Sequence, residues 1–265
     1  MEKGFTLVIA LYNKIETIKN TLNSVLYRHG SYPFKCLIID DDSTDGSSDI
    51  ALEFDRKYPD VFQYIKRTHH EKKTPSYARN MGIMLADTEY IGFLNADDEI
   101  CPGFIDRGCN FLDEHPEYSM YGCGQVTKIM NEKKEVCYYH FQFHEDIRNF
   151  EDYVVKNGLN ISFCANIYKT ELTRKNLFLP VFTEDMIFKI GYIFKNPNIY
   201  IDKEISESFI WDLTGDNHSA YNAPLKPNDK PGLEIVFDML NENIPGFNYT
   251  VRVINDNDFW LSKKP

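Results

Sequence analysis

The sequence has no apolar run approaching the ~20 residues that a membrane-spanning helix needs. That excludes a self-contained synthase that extrudes its own polymer and leaves peripheral association as the most a membrane could offer. No Cys-x-x-Cys pair occurs, and no histidines stand at zinc-finger spacing from the six scattered cysteines (Cys36, Cys101, Cys109, Cys123, Cys137 and Cys164). These read as reduced core thiols. Positive charge is also scarce: 29 Lys and Arg stand against 40 Asp and Glu, a net charge of −11. A nucleic-acid partner is therefore not expected, because binding a polyphosphate requires clustered cations that release its counterions. The stretch after the first apolar run, Leu11-Tyr12-Asn13-Lys14, contains no glycine. This excludes the glycine-rich turn of a dinucleotide-dependent oxidoreductase and that of a sugar-1-phosphate nucleotidyltransferase, and no G-x-x-x-x-G-K marks a phosphate-loop NTPase. Met1-Glu2-Lys3-Gly4 runs into a strand-like segment without a signal-peptide pattern. A cytoplasmic location follows as the expectation, at most at the inner face of the cell membrane.

What is present is a substantial core: 265 residues, 43% hydrophobic, with 19 Phe and 17 Tyr. The first hundred residues alternate between two periodicities. Thr6–Ala10 reads as a buried strand, followed by Ile15, Ile18, Leu22, Val25 and Leu26 at helical spacing. Cys36–Ile39 and Phe62–Ile65 predict further strands, with a helix from Asp45-Gly46-Ser47 onward between them. Thr74-Pro75 supplies a cap and first turn for a helix reaching Leu85, and Tyr90–Leu94 completes a fourth strand. Such alternation predicts a mostly parallel α/β sheet covered on both faces. Beyond residue 100 the pattern predicts helices over 102–115, 150–157 and 184–194, strands over 121–129 and 136–143, and a long loop over 212–232. No repeat or linker interrupts the chain, so 1–265 reads as one domain.

Ligands of an open parallel sheet bind beyond the carboxyl ends of its strands. Here those ends carry Leu11-Tyr12-Asn13, Asp40-Asp41-Asp42-Ser43-Thr44-Asp45 and Asn95-Ala96-Asp97-Asp98-Glu99. Carboxylates gathered at one edge repel unless a cation neutralises them. Oxygen ligands without Cys or His suit Mg²⁺ or Mn²⁺, and such an ion commonly shares its remaining ligands with phosphates. The competing reading is that aspartates simply end strands and cap helices.

Four segments in order resemble the GT-A-fold family 2 glycosyltransferases: Val8-Ile9-Ala10-Leu11-Tyr12-Asn13, then Ile38 to Ser47, then Ala78-Arg79-Asn80-Met81-Gly82-Ile83, then Glu89 to Asp98. The resemblance implies a Rossmann-like sheet whose residues 1–105 bind the nucleotide sugar and whose residues 106–265 form the acceptor and catalytic-base half. It places Ala10 and Tyr12 against the nucleobase, Asp41 on the ring N–H that favours uracil, and Asn95 on a ribose hydroxyl. Asp97 would ligate Mn²⁺ or Mg²⁺, with Asp98 beside it as a second candidate. Two positions depart from the family pattern: Asp42 stands where glycine is usual, and Asn95 where aspartate is usual. The fainter match of Thr183-Glu184-Asp185-Met186-Ile187-Phe188 implies Asp185 as the base, and His218 falls where some relatives place a further metal ligand. Read without the resemblance, Glu184-Asp185 is an acidic first helical turn and His218 a loop histidine. Lys66, Arg67, His69, His70, Lys72 and Lys73 read as a solvated basic loop.

The expected function is inverting transfer of a hexosyl or N-acetylhexosaminyl group from a UDP-sugar to a hydroxyl of a glycan or lipid-linked acceptor in surface polysaccharide synthesis. An inverting transfer needs a carboxylate that takes the acceptor hydroxyl's proton. The alternative is a catalytically silent nucleotide-sugar-binding protein, which would keep Tyr12, Asp41 and Asp97 but lack a base.

Overall fold

The computed structural model describes residues 1–28, 30–68, 74–124, 126–130, 136–140, 147, 149–151, 153, 163–181, 183–202, 209–212, 232–255 and 258–263. Its first half follows the expected alternation: β1 (Glu2–Leu11), α1 (Ile18–Arg28), β2 (Phe34–Asp40), α2 (Ser47–Lys57), β3 (Phe62–Lys66), α3 (Pro75–Leu85) and β4 (Thr88–Asn95). β1 and β4 are buried along most of their length, which is why they read as unbroken apolar runs rather than alternating ones. Thr74 caps α3, its hydroxyl accepting the Ser76 N–H, and Pro75 takes the first turn, where its missing N–H costs nothing. Gly82 lets α3 lie directly on β1, since a Cβ there would stand 2.4 Å from a Val8 methyl.

The second half adds β5 (Glu99–Ile100), α4 (Phe104–Glu114), β6 (Met120–Cys123), β7 (Val126–Met130), β8 (Val136–His140), a single 3₁₀ turn (Phe163–Ala165), β9 (Asn166–Lys169), α5 (Thr170–Thr173), α6 (Glu184–Lys195), β10 (Ile199–Asp202), β11 (Phe209–Asp212), α7 (Gly232–Asn243), β12 (Tyr249–Asn255) and β13 (Asp258–Lys263). The strand expected over 121–129 is two strands: β6 joins the central sheet, and β7 pairs with β8 and β11 in a second one. The change of sheet falls at Gly122-Cys123-Gly124, within a run that was read as one continuous strand. Residues 152 and 154–157 of the expected helix, 141–143 of the expected second strand and 213–231 of the expected loop lie outside the described residues, as does His218. The five cysteines whose side chains are described are free and buried. Among the described residues no helix is long and apolar enough to cross a membrane.

The central sheet runs β10-β6-β9-β4-β1-β2-β3. β9 is antiparallel to both neighbours, and the other six strands share one direction. β1 to β3 progress one way from β1 while β4 lies on its other side, so the sheet reverses its winding between β1 and β4. The crevice this leaves at the carboxyl ends is where open sheets bind ligands. Register sets Ala10 beside both Ile39 and Asn95 there.

An aromatic layer ties α6 to the middle of the sheet. Phe93 of β4 meets Phe188 of α6 edge-on at 5.6 Å, Phe178 at 5.2 Å and Phe163 in a stack at 5.1 Å. Phe178 and Phe188 lie parallel at 4.0 Å. Each such pair is worth roughly 0.5–1.5 kcal/mol beyond its buried area. The layer therefore fixes where the first turn of α6 stands relative to the end of β4.

Asp40 is the polar counterpart of this core. Fully buried at the end of β2, its carboxylate accepts four hydrogen bonds: Ser43 N–H at 3.0 Å, Ser43 Oγ at 2.6 Å, Ser48 Oγ at 2.5 Å and Tyr64 OH at 2.6 Å. Burial and the bond to Asp40 push the Tyr64 phenol up to about 12, so it remains a donor. Asp40→Ala would leave these donors without their acceptor, at about 1–3 kcal/mol for each one that stays buried. The expected result is a loss of more than about 3 kcal/mol in urea unfolding; a loss under about 1 kcal/mol would show that Asp40 does not hold the loop.

Candidate active site at the β1–β4 crevice

Two loops are stitched together above the crevice. Asn13, at φ 48°, donates its backbone N–H to Ser43 Oγ at 3.0 Å and accepts the Thr44 N–H at 2.9 Å. Asp45 accepts the Ile15 N–H on one oxygen, and the Ser47 N–H and hydroxyl on the other. Burial raises the Asp45 carboxyl, but these hydrogen bonds outweigh it and leave the group below its ordinary range. Asp42 sits at φ 63°, the left-handed region that glycine enters without strain and that aspartate tolerates. Aspartate can thus stand where glycine is usual, with its side chain turned outward to Lys66 at 3.1 Å.

The clustered acidity that suggested an external cation is met in part by the protein's own cations. Lys14 Nζ lies 2.6 Å from Asp97, Lys66 pairs with Asp42, and Arg67 forms a close ion pair with Asp41. Arg67 also lies over the Tyr77 ring at 4.8 Å. It is therefore largely buried against Asp41 rather than being part of a solvated basic loop. His69, His70, Lys72 and Lys73 lie outside the described residues.

Residues expected to touch the nucleotide converge. Ala10 is half-buried at the end of β1, Tyr12 is 39% exposed just beyond it, and Asp41 is buried one residue past β2. The Asp41 N–H donates to the Leu11 carbonyl at 2.8 Å, which holds the two strand ends together. At and just past the end of β4, Asn95, Asp97 and Asp98 differ in burial and bonding. Asp97 keeps a partly exposed carboxylate. Asp98 is 1% exposed and accepts the Asn95 side-chain N–H at 2.9 Å. Aspartate in place of Asn95 would set two carboxylates together out of water; asparagine donates instead. Its oxygen in turn accepts from Arg79 at 2.9 Å.

Arg79 extends this chain to the second half. Buried, it lies over Phe163 and Phe178 at 4.8 and 5.3 Å and pairs with Glu184 at 2.6 Å. Ser76 and Asn80 of the same helix hold the segment before α6: Ser76 Oγ donates to the Leu179 carbonyl at 2.7 Å, and Asn80 exchanges two hydrogen bonds with the Phe178 backbone at 2.8 and 2.9 Å. Asp185 follows Glu184 in the first turn of α6, half-buried, accepting the Met186 N–H at 2.8 Å. Lys14, Arg79, Arg67's pairing and the buried Lys189 of α6 were not singled out by the sequence. Arg79 lay within one of the segments that resemble the family, and Lys189 stands four residues after Asp185.

A divalent ion fits one part of this arrangement. Among the described residues no three of His, Cys, Asp and Glu converge as a complete ligand set. The partly exposed Asp97 already holds a cationic partner, which suits an ion bound by a single carboxylate and completed by phosphate and water.

The glycosyl transferase family 2 profile matches residues 6–174. The minor teichoic acid biosynthesis protein GgaB of Bacillus subtilis (strain 168) is 32% identical over 115 residues, which cover 42% of this chain and 12% of that one. The crystal structure of S. aureus TarS 1–349 in complex with UDP-GlcNAc superposes with a TM-score of 0.68 at 16% identity, over 91% of this chain and 65% of that one. The mannosyltransferase PcManGT from Pyrobaculum calidifontis, solved with GDP-Man and Mn²⁺, superposes at 0.52 and 16% identity, over 77% of this chain and 57% of that one. The structural likenesses speak to fold, and the mostly parallel sheet is of the GT-A type expected. The aligned stretches span less than half the length of the first curated relatives.

The partial exposure of Asp97 and Lys14 sets a stability expectation, since exposed pairs contribute about 0–1 kcal/mol. Asp97→Ala should melt within a few degrees of wild type by calorimetry. A collapse in melting temperature would make Asp97 a structural residue instead of a ligand.

Proposed function

Because the chain belongs to glycosyl transferase family 2, we propose that it is an inverting transferase moving a sugar from a UDP-sugar to a hydroxyl of a glycan or lipid-linked acceptor. One observation carries the reading: the Asn95–Arg79–Glu184 bridge joins the strand-end residues Ala10, Asp41 and Asp97 to the turn that bears Asp185. A nucleotide-binding crevice alone would need no such tie to a second carboxylate. The UDP-GlcNAc complex of the structurally similar TarS supports the donor class, and the biosynthetic role in GgaB's name supports a surface glycan as acceptor.

In this reading Tyr12 lies on the uracil ring with Ala10 leaving room beside it, and Asp41, steadied by Arg67, accepts the ring N–H. Asp97 would hold Mn²⁺ or Mg²⁺, which when bound would neutralise the donor's diphosphate. Lys14, its present partner, is a second cation within reach of the same charge. Asn95 and Asp98 position this loop from beneath. Asp185 takes the proton from the acceptor hydroxyl as the oxygen attacks the anomeric carbon, and the UDP oxygen leaves with the bonding pair from the opposite side.

Two measurements test this reading. Calorimetry should show UDP bound in preference to GDP or dTDP, and tightly only with Mn²⁺ or Mg²⁺ present. Equal UDP affinity in excess chelator would remove the metal from the site. Asp185→Asn should keep UDP affinity and lower transfer by ~10²–10⁴-fold, the usual contribution of a positioned base. Product NMR should show the inverted anomeric configuration. Retention, or a variant within a few-fold of wild type, would leave Glu184-Asp185 as a helix start and favour the silent binder.

A further inference from the structure

In so acidic a chain, cations left without a carboxylate are informative. Lys3 is taken up by Asp113, Lys14 by Asp97, Lys35 by Asp87, Arg67 by Asp41 and Arg79 by Glu184. Arg174, Lys175 and Lys195 stand apart: all three are exposed, and among the described residues none of them forms an ion pair. Arg174 donates to the Ala86 carbonyl at 2.5 Å. Lys195 donates to the Asn176 side-chain oxygen at 3.0 Å and to the Lys175 carbonyl at 3.4 Å. These acceptors are neutral, so the three charges stay uncompensated. Burial pulls Lys195 below its ordinary value, with no carboxylate acting the other way. Asp87, which feels the charge of Arg174, is already engaged by Lys35, and Glu171 of α5 pairs with none of the three.

The same surface holds large apolar side chains in water: Met84 is 63% exposed, and Leu85 and Leu177 are each 44% exposed. They adjoin the cations. Leu85 precedes Ala86, whose carbonyl binds Arg174. Met84 stands one turn beyond Asn80, on the side of α3 that holds Phe178, the residue after Leu177. Leu177, Lys175 and Lys195 share the wall of a cavity of about 200 Å³ that Phe188 and Ile244 also line. Long cations around aliphatic side chains, without an aromatic anchor, are unlike a protein-binding patch, where aromatics are enriched and lysine is depleted. They match a bilayer surface, where aliphatic side chains enter the acyl boundary and cationic stems reach up to the phosphates. We propose that this surface, built from the carboxyl ends of α3 and α6 and the segment after α5, docks the protein on a membrane containing anionic lipid, with a lipid phosphate seated at the cavity that Lys175 and Lys195 line. From Asp185 to Lys195 the helix rises about 15 Å, so the docked face stands clear of the β1–β4 crevice.

Vesicle flotation tests this without donor or acceptor, so its outcome is separate from the transferase reading. At low salt the protein should float with vesicles of mixed phosphatidylcholine and phosphatidylglycerol, and not with phosphatidylcholine alone. A chain of net charge −11 is repelled as a whole by the anionic surface, so binding there requires a local cationic face. Raising the salt should release it. Each cation near such a surface contributes roughly fivefold in affinity. The combined variant Arg174→Gln, Lys175→Gln, Lys195→Gln should therefore bind vesicles about 10²-fold more weakly, with melting temperature and UDP affinity unchanged. Lys175→Gln alone, at an exposed side chain that forms no ion pair, should give the single roughly fivefold step. Met84→Ser with Leu177→Ser should weaken binding while leaving it salt-sensitive. Flotation with neither vesicle, equal flotation with both, or a triple variant that floats like wild type overturns the proposal. So does calorimetry that finds inorganic phosphate bound to a protein that does not float, which would make the cavity a free-anion site.

Discussion

The contact on which the rest of the arrangement depends is the buried guanidinium of Arg79. It is covered by two phenyl rings, bonded on one side to Asn95 and on the other to Glu184. A buried charge is tolerated only when paired and hydrogen-bonded, and removing one partner of such a pair costs about 3–5 kcal/mol. Both partners lie close in sequence to a carboxylate for which a chemical role is proposed, since Asn95 stands two residues before Asp97 and Glu184 one before Asp185. Arg79 thus converts a requirement of burial into a fixed separation between the carboxyl end of β4 and the first turn of α6. The planar fork suits this geometry in a way a lysine would not.

Much of the fold was legible because fully buried parallel strands and amphipathic helices leave different periods in the chain. Thr74-Pro75 marked a helix start that the structure reproduces. The break between β6 and β7 was not read from the chain, since the change of sheet is decided by partners far away in sequence. The strand-end acidic clusters were visible, but their division of labour was not. Asp40 and Asp45 spend their carboxylates on loop hydrogen bonds, Asp98 is buried beneath Asn95, and Asp97 keeps a partly exposed face. Which aspartate does which depends on contacts as distant as Lys14 to Asp97, and composition cannot rank them. Lys189 was hidden by the general rule that helix lysines face water.

The two departures from the family pattern have opposite characters. Asp42 changes the residue at a left-handed position, which aspartate is among the few side chains to accept. Asn95 changes the chemistry and keeps the packing, because an amide can donate to Asp98 while accepting from Arg79. The first leaves the crevice as glycine would, apart from an outward carboxylate paired with Lys66. The second lowers the negative charge near Asp97 by one, and with it the electrostatic pull on any cation bound there.

The way α3 grips the segment before α6 has a consequence for how such a chain can diverge. Ser76 and Asn80 reach residues 178 and 179 through main-chain atoms. Main-chain atoms are common to every amino acid, apart from the N–H that proline lacks. The half-exposed Leu179 and the exposed Leu177 and Pro180 can therefore be exchanged without loosening the joint, while the helix side of it tolerates no such freedom. The joint works like a socket that accepts differently shaped plugs on a standard pin. Side chains on the α6 side can be reshaped while the crevice between β1 and β4 stays as it is.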